Sequence, residues 1–595
     1  MRRMLSTTTL ARASARHPWR TIGAWIAALA ITMVLMVTFL GDALTTDVTT
    51  LTNNPESTQA DNLIRDRLGD ANATISEIAV VHSDTLTVDD PAFRAHVESL
   101  YGTLTGVGDG LVTGLPHYYM SGEESLVSAD RHTTLVPFTI PDDATSRITE
   151  VHEAIAGTSA DGAFQVLVTG QATLDIELKE VAEKDLAKGE SIGISVALVV
   201  LAIVIGAVVA AFLPILLAIV AIILALGATA LLGQVMELPF AVVNIMGMMG
   251  LAVGIDYALF VVSRYREERA KGVDKVEAIA ITGGTAGRTV LVSGLTVAIA
   301  LGGMLIMPDT SNRAIGAGAA LVVLATVATS MSLLPALLSL FGDKLNAIRV
   351  RVPSRFQRRQ AEAGHGFWDR TTALVMARPL VSLVLAAGLL LAAASSILDM
   401  DQGEVGVEAL PTGIMSRDAY VILEREFGFG QDLPAIVAID GDTADLSVQA
   451  AIDTLNTAIA SDPGFIGAET ESHPEAALTI VRVHLAGDAL SGDAMAAVER
   501  LRSEHIPAAF DGTEAEALVT GKTAFTVDLT DATETYVPIV ILFVLALSFI
   551  LLTVAFHSIV VPVKAILLNL LSVGATWGIL VLVFQEGFLA DFFGF

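Results

Sequence analysis

The sequence predicts a polytopic α-helical membrane protein that carries two extracytoplasmic α+β domains within a two-fold internal repeat, the second copy incomplete. Three observations predict it. Hydrophobic residues make up 53% and charged residues 17% of the 595, with a mean hydropathy of +0.64, far from the composition of a soluble domain. Several apolar runs are long enough to cross about 30 Å of hydrocarbon. Charge also sorts by segment: residues 1–20, 264–288 and 342–378 hold 19 Lys/Arg and 7 Asp/Glu, whereas residues 42–190 and 399–536 hold 14 and 52.

The elements follow in order. Residues 1–19, with Arg2, Arg3, Arg12 and Arg16, form a basic cytoplasmic N-terminus before a first span at 20–40. That span is too long for a signal-peptide core and lacks a small-residue cleavage site before Gly41-Asp42, so it is a retained anchor. Residues 41–190 form the first extracytoplasmic domain. Spans two to six fall near 191–212, 214–233, 239–263, 289–307 and 314–341, with a cytoplasmic loop at 264–288. A basic cytoplasmic linker, 342–378, leads to the seventh span at 379–398. The second extracytoplasmic domain is 399–536, followed by spans at 537–556 and 562–583 and an outer-side end at 584–595.

The short basic segments, chiefly Arg264 to Arg288 and Lys344 to Arg378, set the orientation and put the N-terminus in the cytoplasm, since Lys and Arg are retained inside. The net charge of −29 belongs to the outer domains, where it favours solubility and excludes nucleic acid as a partner. The chain has no cysteine, hence no disulfide and no thiol catalysis. It has no Walker A sequence and no cytoplasmic segment large enough for a nucleotide-binding domain. His117-Tyr-Tyr119 and the other outer histidines lack metal-ligand spacing, so no metal is expected.

An internal repeat organises the chain. Ala15-Arg-His-Pro18 before the first span recurs as Met376-Ala-Arg-Pro379 before the seventh, and an acidic domain follows each time. The amphipathic Leu63-Ile-Arg-Asp-Arg-Leu-Gly69 parallels Leu423-Glu-Arg-Glu-Phe-Gly428. Thr169-Gly-Gln-Ala-Thr-Leu-Asp175 parallels Thr520-Gly-Lys-Thr-Ala-Phe-Thr-Val-Asp528 just before the chain re-enters the membrane. Strands such as Ile78-Ala-Val-Val81 and Ala435-Ile-Val-Ala-Ile439, with helices over Phe93–Leu104 and Val448–Ala460, predict one α+β domain in each half, between its first and second spans.

Asp256 and Tyr257 lie inside a segment otherwise apolar enough to cross a bilayer. A charge at the centre of a membrane helix costs about 2.5–3.5 kcal/mol even on insertion scales, so such an acid marks an ion or proton pathway. A carboxyl buried among helices favours its neutral form until water reaches it, as a proton-coupled switch requires. Tyr257 both donates and accepts hydrogen bonds without ionising at neutral pH. Gly247, Gly250 and Gly254 follow at small-residue spacing, which lets a neighbouring helix approach closely. Arg264-Tyr-Arg-Glu-Glu-Arg269 closes this helix at the headgroup level, and the basic Arg349–Arg359 loop belongs on the same side.

The layout resembles the resistance-nodulation-division (RND) superfamily and, within it, the MmpL group of lipid and glycolipid transporters. The resemblance covers essentially the whole chain. It is carried by Gly254-Ile-Asp-Tyr-Ala-Leu-Phe-Val-Val-Ser-Arg-Tyr-Arg-Glu-Glu268, Gly287-Arg-Thr-Val-Leu-Val-Ser-Gly-Leu-Thr-Val297 and Leu334-Pro-Ala-Leu-Leu338. It implies a proton relay in which Asp256 and Tyr257 form the pair on the fourth helix and Ser293 neighbours them from the fifth. It further implies export driven by the proton gradient, without a cofactor, and membrane lipids and a lipid-like or other hydrophobic substrate as partners. Homo-oligomers or accessory cell-envelope proteins fit the same layout.

The sequence departs from the family at its end. Residues 239–341 have no counterpart after the ninth span, and the chain stops at Phe588-Leu-Ala-Asp-Phe-Phe-Gly-Phe595, so helices 10–12 and the opposing Asp-Tyr pair are missing. The expectation is a truncated gene product or an incomplete sequence, ahead of a split partner supplying the rest. The leading function is a secondary active exporter in the cytoplasmic membrane. Its alternatives are a non-transporting lipid-binding scaffold or receptor, an exporter of drugs or siderophores, and an accessory to protein export.

Overall fold

The computed structural model describes residues 6–45, 50–68, 74–108, 110–158, 163–342, 367–400, 413–427, 434–487 and 489–588. Arg2, Arg3, Gly69, Gly428, the Arg349–Arg359 loop with most of the 342–378 linker, and residues 589–595 lie outside these. The chain divides into a unit of Met1–Thr50, Leu186–Gln402 and Glu534–Phe595, which holds the apolar helices, and a second of Leu51–Asp185 and Gly403–Thr533.

A short amphipathic helix, α1 (Thr7–Arg16), is capped by Ser6, whose hydroxyl accepts from the Thr9 amide. The first span, α2 (Pro18–Leu35), starts on Pro18, whose missing N–H is no loss at a first helical position. It runs on through a π-helical turn at Met36–Leu40.

The second unit begins with α3 (Glu56–Leu68). Then come β1 (Thr74–His82), α4 (Pro91–Thr105), β2 (Thr133–Pro141), α5 (Ile148–Ala156) and β3 (Gln165–Gly170). The strands form an antiparallel sheet in the order β2-β1-β3, with Val80 opposite both Leu135 and Leu167. Ala79, Val81, Val136 and Phe138 of one face pack on Phe93, Val97, Ile148 and Val151 of α4 and α5. Glu77, fully buried on β1, accepts from the Ala172 amide (2.8 Å) and the Thr173 hydroxyl at the start of the next helix. Burial pushes its carboxyl up, against those hydrogen bonds.

That helix, α6 (Gln171–Ile205), is continuous and becomes apolar over Ser191–Ile203. The predicted second span over 191–212 is corrected here. The helix ends at Ile205, Gly206 turns with φ +72°, and α7 (Val208–Leu232) begins, so residues 208–212 belong to the third span. Arg266 donates to the freed Ile205 carbonyl (2.7 Å). Next come α8 (Ala241–Ala270), α9 (Lys275–Gly284), α10 (Ala286–Gly302), α11 (Thr310–Ala328) and α12 (Leu334–Phe341), the last two joined by a π-helical turn at Thr329–Leu333. The N-terminal α1 docks on α9: Arg12 pairs with Glu277 (2.8 Å), and Ser339 of α12 donates to the Ala15 carbonyl (2.7 Å).

The second half opens with α13 (Pro379–Ala394), the seventh span. Its part of the second unit contains α14 (Met415–Phe427), β4 (Ala435–Asp440), α15 (Leu446–Ser461), β5 (Phe465–His473), β6 (Leu478–Leu485), α16 (Gly492–Arg500) and β7 (Glu516–Thr520). The antiparallel order is β5-β6-β4-β7. The chain then runs into α17 (Lys522–Phe556) and α18 (Val560–Leu580). Eight helices are long and apolar enough to cross a membrane among the described residues, and the apolar part of α6 is a shorter ninth.

The expectation that each outer domain is built within its own half needs correcting. Each half supplies its own sheet, but the two amphipathic helices are swapped. Ala60, Leu63 and Ile64 of α3 pack on Ile436, Ala438 and Ile480 of the second sheet. Ala419, Ile422 and Leu423 of α14 pack on Ile78, Val80 and Leu135 of the first. Each swapped helix is pinned by a carboxylate from the helix that follows the other half's sheet. Asp528 of α17 accepts from the Ser57 amide (3.0 Å), and Glu177 of α6 accepts from the Met415 and Ser416 amides (2.9 and 2.8 Å).

Candidate functional site

Which side chains of α8 can face a partner is decided by helical phase. Gly250, Gly254, Tyr257, Ala258, Val261, Val262 and Tyr265 are buried, against α7, α11 and their neighbours. A Cβ at Gly254 would stand 2.6 Å from the Ala218 Cβ and 2.8 Å from its Cα, so only glycine lets α7 come this close. Gly250 likewise meets Ile222 and Val322, and Gly247 is also buried. Met248, Ala252, Asp256, Phe260, Ser263 and Glu267 recur every three or four residues on the other face and are exposed.

The structure therefore separates the predicted pair. Tyr257 is 8% exposed, and its hydroxyl lies 3.3 Å from the Ser293 hydroxyl on α10. Asp256 is exposed, one residue and about 100° away, and accepts no hydrogen bond among the described residues, so the expected burial of its carboxyl is not found in this unit. Gly294, beside Ser293, makes room for the tyrosine: a Cβ there would meet Val327 and stand 3.3 Å from the Tyr257 ring. The Tyr257–Ser293 bond thus joins α8 to α10, with Asp256 one residue along α8 on its exposed face. It supplies two hydroxyls, each able to donate and accept, next to a carboxyl that can hold a proton.

At the basic end of the same face, Arg264 pairs with Glu267 and Glu268 (2.8 Å each), and Lys271 pairs with Glu268 (2.8 Å). Sequence reading missed the carboxylates that pin the swapped helices. The signal was present: Glu177 stands eight residues after Thr169, as Asp528 does after Thr520, whereas aligning Asp528 with Asp175 hides the match. No group of three or more metal-ligating side chains occurs among the described residues.

These features define a multi-pass membrane protein with the RND-type two-fold layout. The model of the MMPL family matches residues 49–382 and 430–592, and the chain belongs to that family. It is 31% identical over 448 residues to the mycolic acid-containing lipids exporter MmpL11 of Mycolicibacterium smegmatis, a match covering 74% of this chain and 46% of that protein. It is 30% identical over 589 residues to the membrane protein SCO6666 of Streptomyces coelicolor, covering 98% of this chain and 78% of that one. A relative from Mycobacterium tuberculosis, 28% identical over 73% of this chain and 45% of its own length, is named a heme uptake protein. The chain thus spans about half the length of several curated relatives. Among solved structures, the hedgehog release protein Disp of the water bear Hypsibius dujardini shares the fold, with a TM-score of 0.57 at 12% identity over 92% of this chain and 83% of that one.

Proposed function

We propose that this chain takes part in proton-driven export of lipids, glycolipids or other hydrophobic molecules across the cytoplasmic membrane. Its N-terminus and the basic 264–288 connection lie on the cytoplasmic side. The observation that carries the reading is the Tyr257–Ser293 bond one residue from Asp256, a carboxyl and a hydroxyl on α8 and a second hydroxyl on α10, in a member of the MMPL family. Protonation neutralises Asp256, changes which partners it binds and biases a rocking motion between the two halves of the assembly. The proton gradient supplies the energy, so the chain acts as a secondary transporter without a cofactor. The names of the relatives, one for mycolic acid-containing lipids and one for heme, support a large hydrophobic cargo.

The test is proton movement in proteoliposomes under an imposed pH gradient. Asp256→Asn abolishes the protein-dependent flux, and Tyr257→Phe, which keeps the ring but loses the hydroxyl, lowers it. Wild-type flux in Asp256→Asn would sink the reading and put the non-transporting lipid-binding scaffold in its place.

A further inference from the structure

At the end of the bundle where α1 docks, α1, α9, α10 and the π-helical turn between α11 and α12 enclose a small cavity. It leaves the centre of a water molecule about 10 Å³ in which to move. One water needs about 10–15 Å³, so the cavity takes a single molecule. Thr7 and Ala11 close it from α1, and a Cβ on Gly283 of α9 would stand 2.4 Å from the Ala11 Cβ, so the two helices lie directly against one another here.

Most of the lining is apolar. The two buried exceptions are Thr282 of α9 and Ser330 of the π-helical turn, each 2% exposed, whose hydroxyls have no hydrogen-bond partner among the described residues. Their neighbours do not share this condition. The Thr326 hydroxyl donates to the Val322 carbonyl (2.8 Å), Thr329 to the Thr326 carbonyl (2.9 Å) and Ser332 to the Ala328 carbonyl (2.6 Å). The carbonyl four residues before Ser330 is thus already taken by Thr329, and a buried hydroxyl left unpaired costs the full desolvation of the group. Pro335, also in the lining, lacks the N–H that would close the next bond of the turn, which leaves a backbone carbonyl there as a further acceptor.

We propose that this cavity binds one buried water, which joins the Thr282 and Ser330 hydroxyls and so ties α9 to the bend between α11 and α12 beneath α1. The water accepts from both hydroxyls and donates to the carbonyl freed by Pro335. That makes about three hydrogen bonds, the usual number for a buried water. The site does not involve Asp256 and does not depend on proton transport.

Thermal unfolding of the full 595-residue chain in lipid nanodiscs tests it by the sign of the shift. Ser330→Ala and Thr282→Val each lower the midpoint, because each strips a bond from the water, and the double variant loses less than the sum. Alanine is the better helix former, so propensity opposes the expected drop in Ser330→Ala. Gly287→Ala separates water from void. The nearest atom to its added carbon is the Thr282 carbonyl oxygen at 3.8 Å, so in a void the methyl fills space and raises the midpoint, whereas beside a bound water it displaces the molecule and lowers it. Density of the wild-type chain, at a resolution that shows ordered water, carries a peak about 2.6–3.2 Å from both hydroxyl oxygens. A raised or unchanged midpoint in Ser330→Ala and Gly287→Ala, or the lack of that peak, overturns the site.

Discussion

The swapped α3 should come loose when Asp528 is removed. Asp528 and Arg502 are 7% and 12% exposed at their side chains, and the carboxylate takes both guanidinium nitrogens, at 2.6 and 3.1 Å, along with the Ser57 amide at 3.0 Å. Removing one partner of such a buried pair costs about 3–5 kcal/mol, because the other charge is stranded. Here Glu56 remains 3.4 Å from the Arg502 Nε, and the Val519 carbonyl still accepts from Arg502 at 3.1 Å. The expected loss for Asp528→Ala is therefore at the lower end, about 3 kcal/mol, or roughly a hundredfold in the local opening equilibrium. Hydrogen exchange measured by mass spectrometry reads it: amides of Ser57–Leu68 exchange about a hundredfold faster, while those of α14, held by Glu177, do not change. Asp528→Asn keeps an acceptor for the Ser57 amide but loses the charge, and gives an intermediate rate. Unaltered exchange in α3, or equal acceleration in α14, would refute the latch.

Two further predictions concern packing and pH. Gly254→Ala forces α7 and α8 apart at Ala218 and lowers stability by about 1–3 kcal/mol, whereas Gly23→Ala in α2, with nothing within 4 Å of the added carbon, is neutral or stabilising in thermal unfolding; equal effects would show that Gly254 is not a contact glycine. Asp462 accepts from Arg500 through two nitrogens (3.0 Å each), from His505 (3.0 Å) and from the Gly464 amide (2.8 Å), and the Arg500 bonds chiefly hold its carboxyl well below the usual range. Its contribution is therefore present above its unfolded value, near about pH 3.9, and is lost as pH falls through the lower folded one. Asp462→Asn should be less stable than wild type at pH 7 and lose that deficit in acid, so parallel stability curves down to pH 3 would contradict the assignment.

Hydropathy made the membrane helices legible, since it is local and additive along the chain. The same property hid the break at Gly206, because Ala207–Phe212 continue the apolar run and only the backbone turn shows that a new helix has started. Asp256 was legible as an acid in an apolar segment, but its expected burial was not found: Ser263 and Glu267 share its helical phase and are exposed with it, while Tyr257 falls with the buried Gly254 and Val261. What sequence alone did not give was the contact of Tyr257 with Ser293, 36 residues away, which depends on how α8 and α10 cross. That contact came from family resemblance rather than from spacing.

The helix swap has a sequence correlate that bears on why it occurs. Ile78-Ala-Val-Val81 and Ala435-Ile-Val-Ala-Ile439 are apolar at every position, and a strand apolar on both faces must be covered on both. Ala79 and Val81 are covered by helices of the same half, which leaves Ile78 and Val80 to be covered from elsewhere. Because the halves are repeats, either amphipathic helix offers a similar apolar stripe to either sheet, and hydrophobic burial alone does not choose between them. Polar contacts make the choice. Arg67 of α3 meets Asp440 of β4 at 2.6 and 2.9 Å, Asp61 accepts from Thr520, Glu56 accepts from the Val519 amide, and Asp528 takes the Ser57 amide. Glu177 does the reciprocal work at Ser416. Directional bonds thus select among pairings that burial leaves nearly equal, and they join each half's re-entry helix to the other half's opening helix within the same unit.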